Sequence, residues 1–195
     1  MQRYLARSVA LLVAVLALAP VPPSILAQAG ERCFPETGFC ITGEIRQFWE
    51  RNGGLPVFGF PIGPQQEAQV EGQPRQVQWF ERNRLELHPE NRAPYNVLVG
   101  RLGADRLEQQ GRAWQGFAKS QAQPGCRFYP ETGHNVCGAF LATYGRRGLE
   151  LDDRRSITEA ESLALWGLPL SDAQQETLGD GRSYTVQWFE RARLE

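Results

Sequence analysis

Apolar and polar positions alternate through Gln76-Val-Gln-Trp-Phe-Glu-Arg-Asn-Arg-Leu-Glu86, and the same order returns as Val186-Gln-Trp-Phe-Glu-Arg-Ala-Arg-Leu-Glu195. A period of two predicts a strand in each place. Neighbouring strand side chains point to opposite faces. The adjacent pairs Trp79-Phe80 and Trp188-Phe189 therefore need both faces covered, or leave one ring of each pair exposed. A hairpin turn is expected near Asn83. Asn accepts the left-handed conformation of a tight turn, but Ala192 in the second copy does not, so a bulge or wider turn fits equally well.

Upstream, the period changes to that of a helix. Ile41, Ile45, Phe48 and Trp49 fall on one face of Thr42 to Gly54, with Thr42 placed to cap the start and Asn52-Gly53 to end it in a left-handed turn. The second copy runs from Cys137 to Gly148 with Val136, Phe140 and Tyr144 in the matching slots. Leu55 to Ile62 is a Pro/Gly-punctuated apolar loop, too interrupted for a regular element, and its partner is Leu165 to Leu170. The spacing between copies is 95 positions from Glu36 to Glu131 but 109 from Gln78 to Gln187, so the second carries about fourteen extra residues. Ser156-Ile-Thr-Glu159 has the form of a capping box, and an extra helix through Trp166 is expected there. Gln65 to Glu71 reads as a polar connection, Tyr95 to Gly103 as an apolar return, Ala104 to Gln110 as a brief helix, and Gly111 to Gly125 as a linker.

The fold class is thus α+β: two tandem, small, disulfide-stapled repeats, each with a short amphipathic helix, an apolar Gly/Pro loop and a β-hairpin. The expected division is repeat one at 30–110, a linker at 111–125 and repeat two at 126–195, with repeat two truncated and the chain a fragment of a longer protein. Residues 1–29 read as a secretory signal peptide: a basic start with Arg3 and Arg7, an apolar run from Ser8 to Ala19, then a Pro-rich stretch and Ala27-Gln28-Ala29. That run is shorter than the roughly 20 residues a membrane-spanning helix needs. In an exported chain four cysteines invite pairing, and one close pair opens each repeat, so Cys33–Cys40 and Cys126–Cys137 are expected as local bridges. Their spacing is not that of a zinc site.

Charge narrows the partners. The net charge of −1 becomes −3 once Arg3 and Arg7 are removed, and the arginines lie scattered among acids along the chain, which argues against a nucleic-acid partner. No phosphate loop, nucleophile elbow or zinc-helix motif is present, and neither a cofactor nor a metal is implied.

Phe58-Gly-Phe-Pro61 after Gly53-Gly54, followed by Phe80-x-x-Asn83-x-Leu85, resembles the LGFP repeat of bacterial envelope-associated proteins, and Trp166-Gly-Leu-Pro169 with Phe189 repeats it. The chain resembles still more closely the tandem Glu-Thr-Gly/Gln-Trp-Phe-Glu-Arg modules of secreted bacterial surface proteins, over nearly all of 33–195. That resemblance implies small tandem extracellular modules and brings no activity with it. Phe58 and Trp166 stand where the LGFP pattern has leucine, and the cysteine pairs lie outside it.

Glu36 and Glu131 occupy equivalent Pro-Glu-Thr-Gly turns, where duplication explains the pair better than a glycosidase dyad does. His88 and His134 are not equivalent, and both read as surface or half-buried histidines. The aromatic set carries the sharper expectation. Trp79, Trp188, Phe80 and Phe189, with Arg82, Arg191, Gln78 and Gln187, form duplicated strands on which a sugar face could stack and hydrogen-bond. The expected function is a secreted, non-catalytic module holding envelope or matrix polysaccharide. The alternatives are a spacer or protein-interaction region, or an accessory region of a hydrolase.

Overall fold

The computed structural model describes residues 30–195; the expected signal peptide lies outside them. The chain is α+β with two disulfides. A hairpin of β1 (Glu31–Phe34) and β2 (Phe39–Thr42) leads into α1 (Gly43–Arg51) and the four-residue α2 (Leu55–Phe58). A four-stranded antiparallel sheet follows, in the order β3 (Gln66–Val70), β4 (Gln73–Trp79), β5 (Arg84–Leu87), β6 (Val97–Val99). Then come α3 (Leu102–Gln109) and a single 3₁₀ turn, Trp114–Gly116. The back half begins with a second hairpin, β7 (Cys126–Tyr129) and β8 (His134–Cys137), followed by α4 (Gly138–Arg146), α5 (Glu159–Trp166) and a three-stranded sheet of β9 (Gln174–Thr177), β10 (Ser183–Trp188) and β11 (Arg193–Leu194). No helix among the described residues is long and apolar enough to cross a membrane.

Both expected disulfides are present, and each joins residues that face one another across its hairpin. Direct opposition in an antiparallel pair brings Cβ atoms within bridging reach. The two staples nevertheless sit on different rungs. With the Pro-Glu-Thr-Gly turns aligned, the counterpart of Cys33↔Cys40 is Phe128↔Asn135, so the second bridge lies two residues further from its turn. Two disulfides are compatible with an extracellular, oxidising location.

Local details correct the sequence reading at several points. Thr42 occupies the position before α1 but its side chain makes no capping bond; the chain turns into the helix at Gly43, φ +52°, and at its counterpart Gly138, φ +53°. A β-carbon resists that left-handed region, which explains glycine at both places. Leu55 to Phe58 is helical after all, started by Pro56 in its first turn. The fourteen extra residues add no separate helix: α5 ends in Trp166-Gly167 where α2 ends in Phe58-Gly59, so the insertion lengthens the same element. Its capping box is Thr158 with Glu161, two residues beyond the expected Ser156/Glu159. The polar Gln66–Val70 is a strand, because Glu71 and Gly72 both take positive φ and form the tight hairpin turn that pairs it with β4.

The expected linker packs. Trp114 and Phe117 lie against a core of Ala104, Leu107, Leu170, Val186 and Trp188, so α3 and the segment after it cover the sheet of the back half. In return, Leu149 and Leu165 from the back half enter the core built on Phe34, Ile45, Trp49 and Phe80. Residues 111–125 separate two sequence copies, not two hydrophobic cores.

Candidate binding cleft

Hydrogen bonds around the Gln-Trp-Phe-Glu-Arg strands match between the halves. Ile62 and Leu170 N–H donate to the carbonyls of Trp79 and Trp188 at 2.9 and 2.8 Å, and Phe80 and Phe189 N–H donate to Asn83 and Ala192, both at 2.8 Å. Glu81 and Glu190 N–H donate to Phe60 and Leu168, both at 3.0 Å. Because neither Asn83 nor Ala192 has positive φ, the turn is the wider one, and alanine fits it as well as asparagine.

Inside this frame the eight expected contact residues separate. Gln78 and Gln187 are fully buried. Each side-chain amide donates to two backbone carbonyls: Gln78 to Cys40 and Gly63 at 2.9 and 3.0 Å, Gln187 to Asn135 and Ser171, both at 2.8 Å. They tie each strand to its disulfide hairpin and cannot reach a ligand. Phe80 and Phe189 are core residues bridged to Pro61 and Pro169. Trp188 is 2 % exposed, with its Nε1 donating to Glu176 at 2.9 Å, whereas Trp79 is half-buried and the neighbouring Ile62 is 52 % exposed. Each Trp lies under the arginine across from it, Arg84 over Trp79 and Arg193 over Trp188, with Arg112 also over Trp188, rather than under Arg82 or Arg191. Cross-strand pairing at close range explains that choice.

Arg82 and Arg191 face elsewhere, into the space between the halves. A cleft of about 990 Å³ opens there, between the β4–β5 turn, the start of α3, the end of α4, the end of α5 and the β10–β11 strands. Six arginines line it: Arg82, Arg106, Arg146, Arg147, Arg191 and Arg193, against two acids, Glu81 and Glu195. Trp166 forms an aromatic part of the wall, half-buried and held by Nε1 donating to the Arg147 carbonyl at 3.2 Å. Arg82 donates to the Leu55 carbonyl at 2.8 Å and Arg147 to the Pro56 carbonyl at 3.3 Å, while Arg191 donates to the Val99 carbonyl. The Nε of Arg191 is buried with no hydrogen-bond partner among the described residues, and burial pulls this guanidinium below its ordinary pKa.

The other candidates take structural places. Glu36 and Glu131 are exposed at the tips of their hairpins. His88 sits 3.2 Å from Glu86 and 3.1 Å from Glu90. His134 is 2 % exposed, so it is neither at the surface nor half-buried; its Nδ1 lacks a hydrogen bond and stands 3.7 Å from Asp172. Glu150, Asp152 and Glu161 bring carboxylate oxygens together, but these accept the backbone N–H groups of Leu151, Asp153, Arg154 and Thr158 and serve as caps of their own loop.

Comparison with protein-family models, curated proteins and solved structures finds no match. The cleft must be read from its own chemistry. Trp166 carries part of the LGFP resemblance, but Arg106, Arg146, Arg147 and Arg193 were not singled out by the sequence, and no spacing signals them: they come from α3, the end of α4 and β11, and only the docking of the halves gathers them.

Proposed function

We propose that this chain is an exported, non-catalytic binding module built from a duplicated unit like the LGFP-type modules it resembles, and that it holds an extracellular polysaccharide in the cleft between its halves. One observation carries the reading: an open groove of about 990 Å³ with an aromatic wall at Trp166 and guanidinium donors around it. An indole face stacks on the apolar face of a sugar ring, and guanidinium forks donate to hydroxyls and ring substituents. The indole rings of Trp79 and Trp188 are not the contact surface in this reading: Trp188 is buried beneath α3, and Trp79 does not line the cleft. The test is retention of the mature protein on a panel of immobilised extracellular polysaccharides, with Trp166→Leu compared against wild type after both are shown folded by circular dichroism. Retention that drops about tenfold in the variant, roughly 1.4 kcal/mol, supports the reading. Failure of the wild type to bind any member of the panel sinks it.

A protein-interaction role is the second reading. Ile62 and Trp79 support it, because their counterparts Leu170 and Trp188 are covered by α3 while these two are not.

A further inference from the structure

We infer that the cleft is an anion site, and that its ligand is a polymer carrying carboxylate, phosphate or sulfate groups. The inference deepens the polysaccharide reading by assigning charge to the ligand.

The distribution of ion pairs decides it. Twelve arginines of the described chain lie outside the cleft, and nine of them pair with a carboxylate: Arg32, Arg46, Arg51, Arg75, Arg84, Arg101, Arg112, Arg127 and Arg154. Inside the cleft the ratio inverts. Among the described residues only Arg193 has a carboxylate partner, Glu195 at 3.0 Å; Arg82, Arg106, Arg146, Arg147 and Arg191 have none. The chain has 22 acids for 21 bases, so acids are not scarce; in this one place two of them, Glu81 and Glu195, face six arginines. Where these guanidiniums bond to protein at all, they bond to carbonyl oxygens, which orient the fork without neutralising its charge.

Exposed arginines often do no more than solvate a surface, and Arg146 at the end of α4 is favourably placed against the helix dipole. Neither explanation accounts for six from four separate parts of the fold, the β4–β5 turn, α3, the end of α4 and the β10–β11 hairpin, converging on one groove in a molecule of net charge −1. Like charges so gathered repel one another, and a concave low-dielectric wall strengthens that repulsion. A polyanion removes it. Arginine's planar fork matches carboxylate, phosphate and sulfate oxygens two at a time. The open groove suits a chain passing through better than a small enclosed ligand.

The experiment titrates the mature protein with three probes: polygalacturonate for carboxylate, inorganic polyphosphate for phosphate, and neutral dextran as the uncharged control. Arg106→Gln with Arg146→Gln is the test variant, because both side chains are exposed and neither is ion-paired. Arg92→Gln with Arg155→Gln removes the same charge from exposed positions outside the cleft. The expected result is binding to at least one polyanion that weakens with rising salt, as screened charge pairs do. The test variant loses about tenfold or more and the control stays within about twofold. The stronger polyanion arm identifies the source of the anionic group. Dextran binding that the test variant leaves intact overturns the anion inference while sparing the polysaccharide reading. Cleft-dependent binding to polyphosphate with no polysaccharide bound keeps the inference and removes that reading. Equal losses in the two variants, or no loss in either, overturn the inference.

Discussion

Gln78 and Gln187 set the residue scale of this fold. Each is a neutral polar side chain with no exposed surface that satisfies two backbone carbonyls at once, one from the disulfide hairpin and one from the chain entering the sheet. A buried carbonyl left without a donor costs about 1–3 kcal/mol. Gln187→Leu therefore lowers stability by about 2–4 kcal/mol in urea denaturation, whereas the same change at exposed Gln175 stays within about 0.5 kcal/mol. His134 gives the pH behaviour. Burial holds it below the ordinary histidine value, with Asp172 acting in the opposite direction and Lys119 reinforcing the shift. The unfolded chain takes up a proton near 6.5 that the folded chain resists, so its contribution is intact above that pH and is lost as pH falls toward the depressed folded value. The urea midpoint should fall between about pH 7.5 and 5. His134→Phe, which places the residue found at the counterpart Phe39, should flatten that slope. Glu90 acts in a separate window: Arg75 holds it down to about 2, so its contribution is present above the ordinary carboxylate range and disappears only in stronger acid.

Among the elements, α3 produces the largest difference between the halves. It lays Ala104 and Leu107 on Leu170, Val186 and Trp188 of the back sheet, and among the described residues no equivalent cover lies over Ile62, which stays 52 % exposed. Leu170 is completely buried and Ile62, which makes the same backbone bond, is 52 % exposed. Placing a carboxylate at each should separate the two environments. Leu170→Asp should cost more than about 3 kcal/mol through lost apolar burial and an unpaired charge. Ile62→Asp should cost no more than about 0.5 kcal/mol and reduce self-association where that occurs. Similar losses at both positions in chemical denaturation would contradict this account of α3.

On the scale of the whole molecule, the halves are latched at one contact where no side chain fits. A β-carbon on Gly103 would lie 1.9 Å from the Phe189 carbonyl oxygen and 2.8 Å from that of Ala192, while Ala104 N–H donates to the Glu190 carbonyl at 3.0 Å. Gly103→Ala must push α3 off the β10–β11 turn. It should lower stability by about 2–4 kcal/mol and also widen the cleft, because Arg106 and Arg191 approach it from the two sides of that contact. The shared cores predict a single unfolding transition for 30–195 in calorimetry. Two separate transitions would mean that the exchange of Leu149, Leu165 and α3 between halves contributes little.

Much of this was legible along the chain. The duplication, both cystines, the amphipathic helices and the central strands follow from local pattern, because turns, periodicity and short-range pairing act over a few residues. The misreadings share one cause. Gln78 and Gln187 sit in strands whose polar residues normally face water, and only the carbonyls of a distant hairpin and loop make their burial tolerable. Trp79 and Trp188 are identical in local sequence, yet α3 covers one and leaves the other partly open. The arginines look scattered among acids when read in order, and most do find an acid. Sequence by itself determined the units and their stapling, since those depend on neighbours in the chain. Tertiary structure decided which aromatic is buried and which charges stand unpaired together, because both depend on contacts between segments up to about a hundred residues apart, which no local pattern encodes.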